Sequence, residues 1–237
     1  MAVKPIPYKN YGSIPHLPNS RLGKGDHSIS PGQASILTVK KRNKHDEIIV
    51  QEKLDGSNVG VIKLNGRIIS LSRSGYTADS SPYLQHRLFA DWVRTNERRF
   101  DAVLDEGERI VGEWLLQAHG TRYKLIHEPF VAFDIMKESK RLTYDEFIAR
   151  IALKRFVSPF LVHRGESIAV DDAMALLGDY GRHGAIDYAE GLVYRVENKG
   201  KVEFLTKYVR GDKVDGRYLE SVTGETAVWN DFDVTCG

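Results

Sequence analysis

The sequence predicts an α+β fold that consists mainly of antiparallel strands with helices inserted among them. Short β-branched runs such as Ile48-Ile49-Val50 recur along the chain and are separated by turns rich in Gly and Asn. Amphipathic segments with helix-capping signals lie between them, and the clearest opens at Thr143. No internal repeat or linker composition divides the 237 residues, so we expect a single domain over residues 1–237.

Composition indicates an ordinary soluble protein. The apolar fraction is 41%, the charged fraction is 28%, and the net charge of +2 does not by itself announce a nucleic-acid binder. No stretch resembles a signal peptide or is long and apolar enough to span a bilayer, so we expect a cytoplasmic protein without a membrane partner. The single cysteine, Cys236, excludes an intramolecular disulfide and a cysteine metal cluster.

The first part of the chain predicts a loop followed by strands. Residues 1–35 are rich in Gly, Pro, Ser and Asn but keep apolar anchors, which predicts an ordered N-terminal loop region. Residues 47–73 have a β pattern, and Asn65-Gly66 is the strongest short hairpin signal available. Later strands are predicted over residues 109–116, 130–136, 160–163, 191–196 and 202–209. Residues 211–237 are expected to form a C-terminal flap.

Three helices are predicted from caps and periodicity. Ser81-Pro82 has the residues of an N-cap and a first helical position, and this helix is expected to run to about Leu104. Its apolar face comprises Leu84, Leu88, Phe89, Trp92 and Val93. Thr143 and Glu146 form a capping box for the second helix. A third helix over Asp171–Leu177 ends at Gly178, the usual C-terminal signal.

The stretch from Glu52 to Asn58 is central to the functional prediction. Lys53 follows a β-branched run and should lie at the end of a strand, with Asp55 two residues further on. Gly56 allows a tight turn where a Cβ would obstruct the backbone or a ligand. A lysine in this position is either a surface ammonium or, where its neighbours lower its pKa, a nucleophile.

Downstream strands each contain a polar or aromatic residue that departs from simple alternation. They are Glu113, Phe133 with Asp134, Glu190, and Lys207 with Arg210. Taken singly, each has a plain structural interpretation. Phe133 fits a core position, Glu190 a charge at a strand edge, and Lys207 an exposed strand lysine.

Together and in this order, these residues resemble the covalent nucleotidyltransferase superfamily of polynucleotide ligases and messenger-RNA capping enzymes. The matching motifs are Lys53-Leu-Asp-Gly, Arg73-Ser-Gly, Gly112-Glu113, Phe133-Asp-Ile, Glu190-Gly-Leu-Val and Lys207. The extended form from Glu52 to Asn58 is most similar to RNA ligases of the T4 RNA ligase 2 type. That group usually ends in Lys-x-Lys, whereas here Lys207 is followed by a basic residue only at Arg210.

The resemblance implies an ATP-dependent RNA ligase whose catalytic residues are Lys53 and Lys207. It implies a lysyl-AMP intermediate, transfer of AMP to an RNA 5′-phosphate, and sealing to a 3′-hydroxyl, with a nicked duplex as the expected partner. The implied ATP-binding residues are Glu52, Lys53, Arg73, Glu113, Phe133, Glu190 and Lys207. Asp55 and Glu190 would hold Mg²⁺, or Mn²⁺ in its place, through water, and Asn58 and Arg210 are further candidates.

Two alternatives stay open at this stage. An ATP-dependent DNA ligase or a capping enzyme normally adds an oligonucleotide-binding fold after the last lysine motif. Only 27 residues follow Arg210, so no such fold is expected in this chain. A non-catalytic protein that binds nucleic-acid ends is the other alternative, and the presence of Lys53, Glu190 and Lys207 argues against it.

Overall fold

A computed structural model describes residues 3–232, and Cys236 lies outside these residues. The described chain forms two compact units, each assembled from separate stretches of sequence. The first unit comprises residues 3–12, Gly56–Gln117 and Glu128–Ser158. The second comprises Ser13–Asp55, Ala118–His127 and residues 159–232.

Strands and helices alternate along the chain, which confirms the α+β class. The strands are β1 (Asp46–Lys53), β2 (Ser57–Leu64), β3 (Arg67–Ser72), β4 (Glu108–Trp114), β5 (Lys124–Leu125), β6 (Phe130–Lys137), β7 (Lys140–Arg141), β8 (Leu161–Gly165), β9 (Gly191–Asn198), β10 (Lys201–Val209) and β11 (Asp231–Phe232). The helices are α1 (Pro31–Thr38), α2 (Leu84–Thr95), α3 (Glu97–Val103), α4 (Tyr144–Ala152), α5 (Val170–Leu177) and α6 (Glu220–Thr223).

The first unit contains an antiparallel sheet with the strand order β3-β2-β4-β6-β7. The predicted hairpin at Asn65-Gly66 is confirmed, since both residues have positive φ angles of 52° and 69° and connect β2 to β3. Helices α2 and α3 pack against this sheet, and α4 packs against β6. The core between them is mainly aromatic and includes Phe89, Phe100, Trp114, Phe130 and Phe147.

The second unit contains an antiparallel sheet with the order β10-β9-β1-β8. Its core is mainly aliphatic and consists of Leu17, Ile29, Ala34, Leu37, Ile48, Val50, Ala173, Leu177, Ala189, Leu192, Tyr194 and Val196. Helix α5 packs against β8 and β9 and ends at Gly178 with φ of 82°, as predicted. The short strands β5 and β11 pair in parallel, unlike the antiparallel sheets that the sequence predicted.

The helix predicted from Ser81 to about Leu104 is wrong at its start and in its continuity. Helix α2 begins at Leu84 because the Ser81 hydroxyl instead lies 2.7 Å from His86 Nδ1 and accepts the Tyr83 backbone N–H. Helix α2 ends at Asn96, whose side chain donates to the Trp92 carbonyl, and α3 begins afterwards. Leu84 is exposed, so the predicted apolar face is shifted toward Phe89, Ala90 and Val93.

The N-terminal region contains one helix that the prediction of a loop missed. Helix α1 begins at Pro31, and Ser30 and Gln33 form a full capping box at its start. The sequence therefore contained the signal, and the interpretation of residues 1–35 as a loop overlooked it. The capping box at Thr143 and Glu146 is confirmed at the start of α4. None of the helices in residues 3–232 has the length and apolar character needed to cross a membrane.

Candidate active site

Lys53 and Glu190 meet at the end of the central strand pair of the second unit. Strand β1 ends at Lys53, which pairs with Gly191, the first residue of β9. Glu190 immediately precedes Gly191, so the antiparallel register places its side chain beside Lys53, and Lys53 Nζ lies 2.5 Å from Glu190 Oε2. Gly191 allows this approach, since a Cβ there would lie 2.0 Å from the Tyr208 carbonyl oxygen. Strand pairing thus brings together two residues that are 137 positions apart.

Glu190 has an electrostatic environment suited to a reactive carboxyl group. Burial raises the pKa of Glu190, the charge of Lys53 opposes that rise, and the charge of Asp55 adds to it. The side chain is 9% exposed and that of Lys53 is 21% exposed. A partly accessible lysine thus contacts a desolvated carboxylate that is more basic than usual.

Asp55 lies in a second ion pair close to the first. Its Oδ2 atom lies 2.6 Å from Lys213 Nζ and accepts the Gly120 backbone N–H at 2.8 Å. Its own N–H donates to the buried Tyr123 hydroxyl at 3.1 Å. Burial alone would raise the pKa of Asp55, but the charge and hydrogen bond of Lys213, followed by the charge of Lys53, lower it below the usual range. Asp55 therefore stays ionised while Glu190 is the more basic carboxyl group.

Lys207 lies on β10 beside a loop from the N-terminal region. Its N–H donates to the Pro15 carbonyl at 2.9 Å, and its carbonyl accepts from the Leu17 N–H at 2.8 Å. Between them, the buried His16 ring contacts Ser20 Oγ at 2.7 Å and Asp26 Oδ2 at 3.0 Å. Burial lowers the pKa of His16, and the charge of Lys207 lowers it further while Asp26 opposes the shift. Sequence reasoning did not identify this histidine.

Glu52 points away from Lys53, because successive strand residues face opposite sides of a sheet. Its carboxylate is buried and accepts the Arg182 backbone N–H at 2.9 Å. Burial raises the pKa of Glu52 to about 7, against this hydrogen bond and the charge of Arg182. Its carboxylate therefore lies outside the Lys53 and Glu190 cluster.

The remaining predicted residues lie in the first unit. Glu113 on β4 accepts the Gly56 N–H at 3.2 Å and is paired in register with Asn58 on β2. Asn58 Oδ1 is buried and accepts no hydrogen bond from the described residues. Phe133 on β6 is half-buried and meets Tyr11 edge-on, with the ring centroids 5.1 Å apart. Arg73 is exposed in the turn after β3.

Two basic residues of the second unit differ from the sequence-based expectation of surface phosphate contacts. Lys213 is 8% exposed and its ammonium is engaged with Asp55 and Thr121. Arg210 donates to Asp212 through Nε and Nη2 at 3.0 and 3.1 Å, and its backbone N–H donates to the Glu190 carbonyl. The partnership of Lys213 with Asp55 could not be predicted, since no local pattern pairs residues so far apart.

The family comparison places this geometry in a known class of proteins. The profile of the RNA ligase family matches residues 46–209, which include both β1 with Lys53 and β10 with Lys207. The chain belongs to the RNA ligase family. Among curated protein sequences, none matches the chain.

Several solved structures share the fold. A variant of the Naegleria gruberi RNA ligase with ATP and Mn has a TM-score of 0.54 at 17% identity, covering 72% of this chain and 52% of that one. An apo variant of the same ligase has a TM-score of 0.52 at 17% identity, covering 78% and 54%. An archaeal ATP-dependent RNA ligase has a TM-score of 0.45 at 20% identity, covering 69% and 42%. The chain thus spans about half the length of these neighbours.

Proposed function

We propose that this protein is an ATP-dependent RNA ligase that forms a covalent adenylate on Lys53. The contact between Lys53 Nζ and Glu190 Oε2 carries the proposal, because it places a partly exposed lysine against a basic, desolvated carboxylate. Such a partner can take the ammonium proton that a nucleophilic lysine must lose. Family membership and the neighbour with ATP and Mn support ATP and a divalent metal ion as the reactants.

The reaction would proceed in three balanced steps. The Lys53 Nζ lone pair attacks the α-phosphorus of ATP, a P–N bond forms, and the bond to pyrophosphate breaks. An oxygen of an RNA 5′-phosphate then attacks the adenylate phosphorus, and the P–N bond breaks with its electrons returning to Nζ. Finally, a 3′-hydroxyl loses its proton and attacks the activated 5′-phosphate, from which AMP leaves.

The carboxylates of the second unit fit a magnesium ion held through its water shell. Asp55 and Glu190 supply hard oxygen acceptors, which Mg²⁺ prefers, although a lysine already contacts each of them. Among residues 3–232, no group of three or more His, Cys, Asp or Glu side chains could hold a metal ion directly. When bound, the ion would neutralise phosphate charge and disfavour the ammonium form of Lys53.

The other candidates receive roles that match their chemistry. We assign Lys207 to the charge on the transferred phosphate and Arg73 to phosphate oxygens, because a guanidinium offers a planar fork of donors. Glu113 would accept from ribose hydroxyls, and the Phe133 ring offers a face for adenine. Asn58 has a buried acceptor without a partner in the described residues, which suits a ligand N–H group. Glu52 and Arg210 stay predictions as ATP contacts.

Labelled ATP tests the proposal directly. With Mg²⁺ or Mn²⁺, the protein should retain the α-phosphate label through denaturing electrophoresis, and Lys53→Ala should abolish the label. Lys63→Ala is the matched control, because Lys63 is also a strand lysine with an acidic partner, Asp101 at 2.8 Å. A label that persists in Lys53→Ala would exclude the assignment of the nucleophile.

The preferred substrate should contain RNA on the 3′-hydroxyl side of a nick. A-form geometry and terminal 2′-hydroxyls are local features that B-form DNA lacks. We would compare sealing of one nick with ribose or deoxyribose at the last two positions of the 3′-hydroxyl strand. Faster sealing of the deoxyribose strand would favour the DNA ligase alternative, and an end-binding protein would seal neither.

A further inference from the structure

The second unit contains a cavity of about 340 Å³ that the proposed roles do not use. Its lining combines three cations, Arg210, Lys213 and Arg217, with the aromatic rings of Tyr180 and Tyr188. The carboxylates of Asp187 and Asp212 also line it, so the cations exceed the acidic groups by one. A mixed aromatic and cationic lining suits a ligand that has both a flat ring and negative charge.

The cavity adjoins the proposed reaction centre. Lys213 lines the cavity and also holds Asp55 through its ammonium. Tyr188 and Ala189 line it and directly precede Glu190 in the chain. The Arg210 backbone N–H donates to the Glu190 carbonyl at 3.0 Å. A ligand in this cavity would therefore lie next to the carboxylates assigned to the metal ion.

The aromatic lining forms an exposed stacking surface. The Tyr180 and Tyr188 rings are stacked with centroids 5.5 Å apart at an interplanar angle of 28°. They are 53% and 50% exposed, and the neighbouring Ile186 is 51% exposed. The Arg210 guanidinium lies over the Tyr188 ring at 4.5 Å and extends the stack with a positive charge. Rings held in parallel at the surface offer faces on which a nucleobase can stack.

We propose that this cavity binds one nucleotide of the RNA strand, with its base on Tyr180 and Tyr188 and its phosphate on Arg210 and Arg217. The proposal rests on the proposed RNA ligase function and adds a subsite to it. Arg217 is suited to the phosphate, because its side chain is 57% exposed and its nearest carboxylate, on Asp187, lies 3.7 Å away. Stacking without base-edge contacts predicts binding that tolerates any base sequence.

Binding of a 5′-phosphorylated RNA oligonucleotide with an unpaired 5′ end, followed by fluorescence anisotropy, tests the subsite. Tyr180→Ala and Tyr188→Ala should each raise Kd by roughly 5- to 100-fold, the effect of losing one base-stacking contact. Tyr180→Phe and Tyr188→Phe retain the ring and should bind within about twofold of the parent protein. Tyr83→Ala is the matched control, since Tyr83 is a 60% exposed tyrosine of the first unit.

Charge provides a second readout. Arg217→Ala should weaken binding about equally for all base sequences and reduce the slope of log K against log salt by about 1. Melting temperatures of all variants are measured alongside, and the half-exposed tyrosines should contribute little to them. A loss of RNA binding in the alanine variants at an unchanged melting temperature supports the subsite.

The ATP label on Lys53 separates failure of this inference from failure of the proposed function. Absence of the label in the parent protein would overturn the proposed function, whatever the RNA affinity. A normal label together with parental RNA affinity in the Tyr180→Ala, Tyr188→Ala double variant would overturn the subsite alone. Loss of the label with unchanged RNA affinity would assign the cavity to ATP and would also overturn the subsite.

Discussion

The two units bury different kinds of side chain, although both are built on antiparallel sheets. Five of the six largest fully buried side chains in the described residues belong to the first unit: Trp114, Phe89, Phe100, Phe130 and Phe147. The second unit instead sequesters ionisable groups, among them Glu52, Glu190 and Lys213. Aromatic burial stabilises a fold, whereas a buried carboxylate costs free energy unless it is paired.

Buried charge also occurs in the first unit, but there it is fully paired. Asp134 accepts the Tyr11 hydroxyl at 2.9 Å and the Arg141 Nε–H at 3.0 Å. In the second unit, the pKa values of Glu52 and Glu190 are raised, chiefly by burial. Carboxylates with strongly shifted pKa values often mark functional sites. The comparison therefore assigns stability mainly to the first unit and chemistry mainly to the second.

The largest expected effect breaks the packing of the first unit. Phe130→Ala should lower the free energy of unfolding by about 3–5 kcal/mol, because it opens a cavity in the core. The Phe130 ring lies within 5.6 to 6.1 Å of the rings of Phe89, Trp92, Phe100 and Phe156. Urea unfolding measures the change, and Phe204→Ala, at a half-buried position of the second unit, should cost less. An equal cost at both positions would remove the distinction between the units.

The next effect breaks the chemistry of the second unit. Glu190→Ala should reduce adenylate formation on Lys53 by about 10²–10³-fold, since it removes a carboxylate that acts on the reacting groups. Stability should change little, because burial already disfavours this carboxylate. Glu203→Ala on β10 is the control, as Glu203 is a partly exposed carboxylate paired with Arg42. Stability and activity falling in parallel would identify Glu190 as a structural residue.

A third effect tests the strain of buried charge through pH. The folded-state pKa of Glu52, about 7, exceeds its ordinary value of 4.5, so the folded protein holds a proton that the unfolded chain releases between these values. Stability should therefore fall as pH rises from about 4.5 to 7, by on the order of 3 kcal/mol. His183, whose Nε2 lies 4.0 Å from Glu52, stays neutral here, because burial lowers its pKa to about 3.

Glu52→Gln should remove this pH dependence and retain the hydrogen bond from Arg182. The variant should be more stable than the parent at pH 8 and similar to it near pH 4.5, as measured by urea unfolding across the range. Glu47→Gln, in the same strand and paired with Arg164 at the surface, should leave the pH profile unchanged. A parental pH profile in Glu52→Gln would show that Glu52 carries no such penalty.

The smallest effect concerns a turn of the first unit that neither packing nor charge supports. Gly66 has a φ of 69°, and an added Cβ would meet no atom within 4 Å. Gly66→Ala should therefore cost about 1 kcal/mol from backbone conformation alone. Gly12→Ala, where the added Cβ is equally free and φ is not in the left-handed region, should be neutral or slightly stabilising. Equal thermal midpoints for both variants would contradict the conformational argument.

Local patterns in the sequence determined most of the secondary structure and the order of the site motifs. The Asn65-Gly66 turn, the capping box at Thr143 and the end of α5 at Gly178 all depend on residues within a few positions of each other. The same holds for the position of Lys53 at a strand end, since β-branched runs and turn residues are local signals.

Only the tertiary structure decided which distant groups meet. Lys213 with Asp55, His16 beside Lys207, and the use of Ser81 by His86 rather than as a helix cap all depend on side-chain contacts. Lys53 and Glu190 are 137 positions apart, and the register of β1 with β9 brings them together. Local propensity comes from the backbone of a few neighbouring residues, whereas pKa values and ion pairs depend on what the folded chain brings into contact.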